Sequence, residues 1–419
     1  KYVDAKKDDP AGYEGRGRAL FNLKKFKEAV ADFDAYLAKS KPADTDRADI
    51  ERLKVLALES DPSTKLPAEE RIAKYTELIN KAPDAKESST LYVNRGVAHF
   101  EKGNFDTALK DFEAAAKLDG GQPSTLANVA SAAFRKADKS KAAADYTAAA
   151  AAYDRILTKE PANTEALLSR ADIQLALKKY TEAIADYGKV IASNPETKTL
   201  VAVLTNRAAA YLMLPKPDTK AAIADYTAIL AKSPTDTTVL GLRAMAHKSL
   251  SDWASAAADF TKLIEAGKPK VDIELLLSRA ECTFNLGIAR KDTPTKGGPE
   301  FDSAIADYTA VLTEKADNAD ALFSRGLAYY RKSGRKALPE LAKAIADFEA
   351  LVKVKTDHAD AWYRIGLAAD DYGVASEPDQ EAMFTKAIAA YEKYITLPKV
   401  SATDIESTKK RIEQLKEAL

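Results

Sequence analysis

Apolar side chains recur along this chain every three to four residues, which is the spacing of amphipathic helices. Residues 88–120 show the pattern most simply, as two apolar stripes separated by a short polar break. The first stripe is Tyr92, Gly96, His99 and Phe100, and the second is Phe105, Ala108, Phe112 and Ala115. Gly103 and Asn104 between the stripes predict a turn, and Gly120 predicts the end of the second helix. The pattern therefore predicts a helix–turn–helix unit.

The same unit recurs along the whole chain. A phrase close to Ala-Ile-Ala-Asp-Tyr marks second helices at 29–33, 183–187, 222–226, 256–260, 304–308 and 344–348. Ten second helices carry a large aromatic residue: Phe33, Tyr75, Phe112, Tyr153, Tyr187, Tyr226, Phe260, Tyr308, Phe348 and Tyr391. The predicted units span about 11–42, 45–83, 88–120, 124–161, 164–195, 199–234, 237–267, 272–316, 319–356 and 359–398. We expect a small residue in each first helix to let the second helix approach, and the aromatic residue to fill the gap toward the next unit.

This pattern resembles the tetratricopeptide repeat (TPR), a helix–turn–helix unit of about 34 residues. The resemblance covers essentially the whole chain and implies an all-α solenoid, a right-handed superhelix of about ten units. Residues 1–10 resemble the end of a preceding repeat, because Tyr2, Ala5 and Pro10 have the spacing of a second helix. Residues 401–419 predict one polar helix, opened by Asp404, that caps the last repeat.

An arginine in the first helix and an aspartate in the second occur together in seven units and are both missing, in register, from the other three. The predicted pairs are Arg16 with Asp32, Arg95 with Asp111, Arg170 with Asp186, Arg207 with Asp225, Arg243 with Asp259, Arg279 with Asp307, and Arg325 with Asp347. Residue types that appear and vanish together predict contact, so we interpret them as structural ion pairs between paired helices. The alternative is a row of arginines that binds an anionic ligand.

Charge and composition exclude several classes of function. The 63 Lys and Arg residues balance 63 Asp and Glu residues, which gives no general attraction to nucleic acid. No apolar run approaches the length of a membrane span, and one cysteine and three scattered histidines predict no metal site. The pair Gly297-Gly298 lacks the strand and the Lys-Ser/Thr of a phosphate loop. The sequence therefore predicts no cofactor, no catalytic residues and no enzymatic activity.

Two features are candidates for binding a protein or peptide. Chaperone-binding relatives of this family bind a carboxylate with a Lys and an Asn. That pair is absent from the matching positions of this sequence. Those faces instead carry apolar candidates for partner contact: Phe21, Phe100, Met245, Phe284, Phe323, Tyr330 and Tyr363. Helix–helix packing is the alternative for each of them.

The second feature is a set of turn insertions at the same place in five units. They lie at Lys65–Ala68, Pro215–Thr219, Arg290–Glu300, Ser333–Glu340 and Tyr372–Gln380. Insertions at corresponding places project from one edge of a solenoid, so they predict either a binding edge or tolerated variation of the surface.

The first hypothesis for function is a non-catalytic scaffold that binds protein partners through its groove and this edge. The alternative hypothesis is a structural subunit, which self-assembles end to end or is built into a larger assembly, so homo-oligomers are compatible with the sequence. A third is that the chain is a non-catalytic part of a longer enzyme. A composition low in Cys and Met and rich in Ala, Lys, Thr and Asp favours a bacterial extracytoplasmic location, in the periplasm or at the cell surface.

Overall fold

The computed structural model describes residues 9–41, 46–61, 63, 66–81, 85–267, 272–290, 297–398 and 400–419. These residues form two compact units, residues 1–214 and 215–419, and the regular elements described within both are helices. The first unit contains α1 (Pro10–Asn22), α2 (Phe26–Lys39), α3 (Arg47–Ser60), α4 (Ala68–Lys81), α5 (Ala85–Glu101), α6 (Phe105–Leu118), α7 (Pro123–Ser140), α8 (Ala143–Lys159), α9 (Thr164–Ala176), α10 (Tyr180–Ala192) and α11 (Thr197–Met213). The second contains α12 (Thr219–Lys232), α13 (Thr237–Ser249), α14 (Trp253–Gly267), α15 (Ile273–Ala289), α16 (Gly298–Glu314), α17 (Ala319–Ser333), α18 (Leu338–Val354), α19 (Ala359–Ala375), a short 3-10 helix (Glu377–Asp379), α20 (Gln380–Ile395) and α21 (Ala402–Glu417). The predicted all-α repeat fold is confirmed.

Short polar side chains begin many of the first helices. Asn318 accepts a hydrogen bond from the backbone N–H of Ala321 at 3.0 Å, and so satisfies one of the free amides in the first turn of α17. Asp9 caps α1 in the same way, and Pro10 is the first residue of that helix. Pro10 therefore begins a repeat, whereas the sequence pattern placed it at the end of a preceding one; residues 1–8 lie outside the described part.

Helices pack in the order of the chain within each unit. Each first helix from α3 to α9 in the first unit, and from α13 to α19 in the second, lies against the second helix of its own repeat and against the second helix of the repeat before it. The ten aromatic residues predicted for the second helices are all buried, with 0–8% of their surface exposed. They form the centre of the core in both units.

Four first helices approach their partners through a glycine. A Cβ atom added to Gly17, Gly96, Gly326 or Gly366 would lie only 2.5–2.7 Å from the aromatic ring of the second helix in the same repeat. The ring of Phe112, for example, lies directly against Gly96. The prediction that such rings fill the gap toward the next repeat is therefore incomplete, because each ring first closes the gap within its own repeat.

Several turn insertions lengthen helices rather than forming loops. The segment Tyr372–Gln380 contains the last turn of α19 and the 3-10 helix, and the segment Ser333–Glu340 contains the first residues of α18. Gly373 lies in this extension, with the ring of Phe384 so close that an added Cβ would be 2.6 Å away. Parts of the insertions at Lys65–Ala68 and Arg290–Glu300 lie outside the described residues. The first two insertions thus contribute residues to helices, whereas the insertion at Pro215–Thr219 forms a bend that ends where α12 begins.

The last helix, α21, covers the final repeat. Ile412 and Leu415 are 6% and 1% exposed, while the remainder of the helix is largely polar. Its first turn is capped by Ser401, which accepts from the N–H of Asp404 at 3.0 Å; Ser401 therefore precedes Asp404 as the opening residue. None of the described helices combines the length and the apolarity needed to span a bilayer.

Candidate functional site

The arginines and aspartates that vary together lie in contact in six repeats. In each, the Nε and Nη2 atoms of the arginine donate to the two carboxylate oxygens of the aspartate at 2.6–2.9 Å. This parallel, two-bond geometry is the strong form of an arginine–carboxylate pair. The six aspartates are 2–6% exposed, so each bond holds a charge that water scarcely reaches. Arg207 and Asp225 belong to different units, and their pairing stays a prediction.

Most of these arginines also reach back to the preceding repeat, a contact that the sequence pattern did not predict. The Nη1 atom of Arg325 donates to Oγ1 of Thr309 in α16 at 3.1 Å, while its other nitrogens bind Asp347 in α18. Arg95, Arg243 and Arg279 contact Thr76, Thr227 and Thr261 in the same way, and Arg170 contacts Asp154. Each of these five arginines thus joins three helices. The signal in the sequence is the residue that follows each aromatic, which is often threonine.

Electrostatics supports a structural role for these groups. The hydrogen bonds that Arg325 donates to Asp347 are the largest cause that raises the pKa of Arg325, and those that Arg95 donates to Asp111 do the same for Arg95. The guanidinium groups are therefore held charged and faced by carboxylates of the protein. We interpret each arginine, with the aspartate and the residue of the preceding repeat that it contacts, as a structural link between helices, and we call it an arginine joint. A ligand anion would have to compete with a buried carboxylate for the same donors.

Repeats without this pair use other ion pairs. Arg71 in α4 is 3% exposed and contacts the carboxylates of Glu59 at 3.2 Å and of Glu101. In the last repeat, Arg411 of α21 donates to both oxygens of Asp370 in α19 at 2.7 and 2.6 Å. The terminal helix therefore supplies the arginine that the last repeat lacks. Sequence spacing gave no signal for this contact, because 41 residues separate the partners.

Most of the predicted partner-binding aromatic residues are half-buried and contact a ring of their own unit. The ring centroids of Phe21 and Phe26 are 5.6 Å apart, those of Phe100 and Phe105 5.3 Å, and those of Phe284 and Phe301 5.7 Å. Phe323 lies 5.8 Å from Phe348, and Tyr363 lies 5.8 Å from Tyr391. These distances are typical of stabilising aromatic pairs. Packing thus accounts for one side of each ring, and the other side remains partly open.

Two candidates differ from the rest in exposure. Met245 in α13 is 56% exposed, and Leu242 on the same helix is 40% exposed, so this helix presents apolar surface to solvent. Tyr330 is only 4% exposed, and its hydroxyl donates to Oδ2 of Asp371 at 2.6 Å. Tyr330 is therefore a core residue of the second unit and is not available to a partner. Asp371 lies in α19 immediately before the insertion Tyr372–Gln380.

Neighbouring first helices of the second unit lie side by side. Lys248 of α13 donates to Glu281 of α15 at 2.6 Å, and the ring of Phe323 in α17 lies 5.1 Å from that of His358, which precedes α19. These contacts join α13 to α15, and α17 to the residue that precedes α19. Among the described residues, no group of three or more His, Cys, Asp or Glu side chains is placed to hold a metal ion. Burial raises the pKa of the Cys282 thiol to about 11, so this cysteine is a protonated core residue at neutral pH.

Comparisons with known proteins agree with this geometry. Two family models, both described as tetratricopeptide repeat, match residues 134–196 and 300–340 in one case and residues 89–121 in the other. A search of curated protein sequences finds no match.

Among solved structures, the chain is similar to a tetratricopeptide repeat protein from Parabacteroides merdae, with 20% identity, 69% of this chain and 98% of that chain covered, and a TM-score of 0.35. It is also similar to the C-terminal part of a TPR repeat-containing protein from Cytophaga hutchinsonii, with 17% identity, coverage of 65% and 98%, and a TM-score of 0.43. A third similar structure is MamA from Desulfovibrio magneticus, with 16% identity, coverage of 47% and 97%, and a TM-score of 0.32.

The family models match separate parts of the chain, and between those parts the same paired helices recur with the same buried aromatic residues. The repeated ion pairs between first and second helices follow the same register in both units. Tetratricopeptide repeats are therefore present in both units of the chain, at residues 89–121, 134–196 and 300–340.

Proposed function

We propose that this chain is a non-catalytic scaffold that binds protein or peptide partners through the exposed faces of its first helices. The observation that carries the proposal is the exposed apolar surface of α13, where Leu242 and Met245 lie on one side of a helix whose other side is buried. Soluble proteins seldom expose neighbouring large apolar side chains without a partner for them. The edge that carries the turn insertions is a second candidate surface for the same role.

The polar contacts near this surface favour partner binding over catalysis. The arginines of the first helices are bound by aspartates of their own repeats, and Cys282 is buried and protonated. A nucleophile, a general base and a group that orients the base are the minimum of most hydrolytic sites. The proposed scaffold needs none of them, because its affinity comes from apolar burial and from polar contacts at the margin of the interface.

Site-specific cross-linking in the native source tests this proposal. A photo-reactive phenylalanine analogue replaces Met245 in one variant and Val354 in a control; Val354 is 47% exposed at the end of the second helix α18. We expect a discrete adduct with a different protein from position 245 and none from position 354. Equal labelling at both positions, or adducts only between copies of this chain, would refute the proposal. If adducts form only between copies of this chain, light scattering on the purified chain shows whether it self-assembles or whether the copies meet only by chance.

A further inference from the structure

Three consecutive first helices of the second unit carry the same two residue types, an acidic residue followed three positions later by a large apolar one. The pairs are Glu274 with Leu277 in α15, Asp320 with Phe323 in α17, and Asp360 with Tyr363 in α19. Residues three apart project from the same side of a helix, with about 5–6 Å between their Cβ atoms. We call these six residues the acidic–apolar face.

The charge of this face is not balanced within the protein. Glu274, Asp320 and Asp360 are exposed, and none of the three has an ion-pair partner within 4.0 Å among the described residues. Glu281, two turns after Glu274 on α15, is different, because its carboxylate binds Lys248 of α13 at 2.6 Å. The three free carboxylates therefore give one side of the face a negative potential that extends into solvent.

The apolar members of the face are half-buried and supported from below. Leu277, Phe323 and Tyr363 all pack against the core of the second unit and keep part of their surface open. The ring of Tyr363 lies 5.1 Å from that of Tyr394 in α20. Burial is the largest cause that raises the pKa of Tyr394, followed by the charges of Asp404, of the Tyr363 hydroxyl and of Asp360. The field of Asp360 thus reaches the aromatic pair beside it.

Two arginines of the helices that carry the face are bound by aspartates of their own repeats. Arg279 and Arg325 are bound by Asp307 and Asp347. Arg364 lies four positions after Asp360 on the same side of α19, but no ion pair joins them within 4.0 Å, and its charge acts on the core residue Tyr330. The carboxylate side of the face is therefore left open to cations from outside the protein.

We propose that the acidic–apolar face binds a basic segment of a protein partner, whose Lys or Arg side chains contact the three carboxylates while its apolar side chains pack on Leu277, Phe323 and Tyr363. This inference rests on the proposed scaffold function and adds the charge of the partner to it. A guanidinium group placed beside Asp320 or Asp360 also lies within reach of an aromatic ring, which favours arginine. An acidic segment on the same surface would meet three uncompensated negative charges, and like-charge contacts of this kind suppress binding.

Peptide binding measured by fluorescence anisotropy tests the inference. The probe is a short fluorescein-labelled peptide of alternating arginine and leucine, and the matched peptide has glutamate in place of arginine. We expect the arginine peptide alone to bind, with an affinity that falls as salt rises. The double variant Asp320→Asn, Asp360→Asn should weaken that binding by about fivefold, as expected for two partly exposed ion pairs.

A control variant removes the same charge from another part of the unit. Glu314→Gln with Glu377→Gln replaces two exposed carboxylates outside the face, and should leave the affinity within about twofold of the unmodified chain. Equal weakening by both double variants, or equal binding of the glutamate peptide, would overturn the inference.

The cross-linking experiment at position 245 keeps the two proposals distinguishable. If the native partner still cross-links at full yield in the Asp320→Asn, Asp360→Asn background, the scaffold function stands and the basic segment is refuted. If the cross-link is lost in that background and retained in the Glu314→Gln, Glu377→Gln control, both proposals are supported.

Discussion

Two glycines in the middle of helices of the first unit should respond to alanine with opposite signs. Gly96 in α5 lies against the ring of Phe112, and an added Cβ would be 2.6 Å from Cε1 and 2.8 Å from Cδ1. Carbon atoms in contact are normally about 3.5–4.0 Å apart, so the ring would have to retreat by about 1 Å. Phe112 is 2% exposed, and the close packing around it leaves no space for that movement.

The expected free energies follow from these distances. Replacing glycine by alanine inside a helix stabilises it by about 1 kcal/mol, whereas overpacking a core costs about 1–3 kcal/mol. Gly96→Ala should therefore destabilise its repeat by about 1 kcal/mol. Gly188 in α10 is the matched control, because an added Cβ there meets only the Nη1 atom of Arg207, at 3.9 Å. Gly188→Ala should stabilise its repeat by about 1 kcal/mol.

Hydrogen exchange measured by mass spectrometry is the appropriate assay. Repeat arrays do not unfold in one step, so a single unfolding midpoint does not report on one repeat. Both tryptophans, Trp253 and Trp362, lie in the second unit, and their fluorescence would not report on α5 or α10. Peptides from α5–α6 and α9–α10 give local opening free energies directly.

A rescue variant separates steric overlap from other causes. Phe112→Leu shortens the side chain, and combined with Gly96→Ala it should recover part of the lost protection although Phe112→Leu alone is destabilising. If Gly96→Ala and Gly188→Ala changed protection in the same direction, the argument from ring contact would be wrong.

Three further predictions concern charged groups of the second unit. Arg325→Met and Asp347→Asn should couple by about 1–3 kcal/mol in a double-mutant cycle of hydrogen exchange, since both bonds of the pair are charge-assisted; additive effects would contradict the pairing. Arg411→Met should lower protection in α21 by about 1–2 kcal/mol, while Lys416→Met, which breaks an exposed pair, should change it by less than about 0.5 kcal/mol. Burial raises the pKa of Asp371 in the folded protein above its ordinary value. The ionised carboxylate therefore destabilises the fold at a pH above this raised pKa, and the destabilisation is lost as the pH falls through the raised pKa toward the ordinary value. Asp371→Asn should therefore stabilise α19 more at pH 7 than at pH 4 in protection measurements, and a gain that does not change with pH would refute the assignment.

The repeat and its internal contacts could be predicted because they are written many times in the sequence. A buried ring such as Phe348 and a small residue such as Gly326 recur at fixed spacing. The contact between them can therefore be inferred by comparing the repeats of this one sequence with each other. The contact between Arg325 and Asp347 followed from the same repetition, since both residue types are missing together in three repeats. Periodicity is thus sufficient where one local geometry is used again and again.

Contacts made only once could not be predicted. Nothing in the spacing of Arg411 and Asp370 links them, because α21 has no counterpart elsewhere in the chain. Tyr330 has the spacing of a surface residue, yet it is buried in the core of the second unit and its hydroxyl donates to Asp371 of the next first helix, a contact that the spacing did not indicate. The division into two compact units was likewise absent from the pattern, since the repeat continues across Leu214.

The arginine joints also bear on how such a chain grows by duplication. Each joint takes its three members from the second helix of one repeat and the two helices of the next, and it uses no residue of the turns. A duplicated segment that carries arginine in its first helix, and aspartate and threonine in its second, therefore completes a joint at both of its ends wherever it is inserted among similar repeats. Recombination can then add or remove whole repeats without leaving a buried charge unpaired, while the turns stay free to accept extra residues.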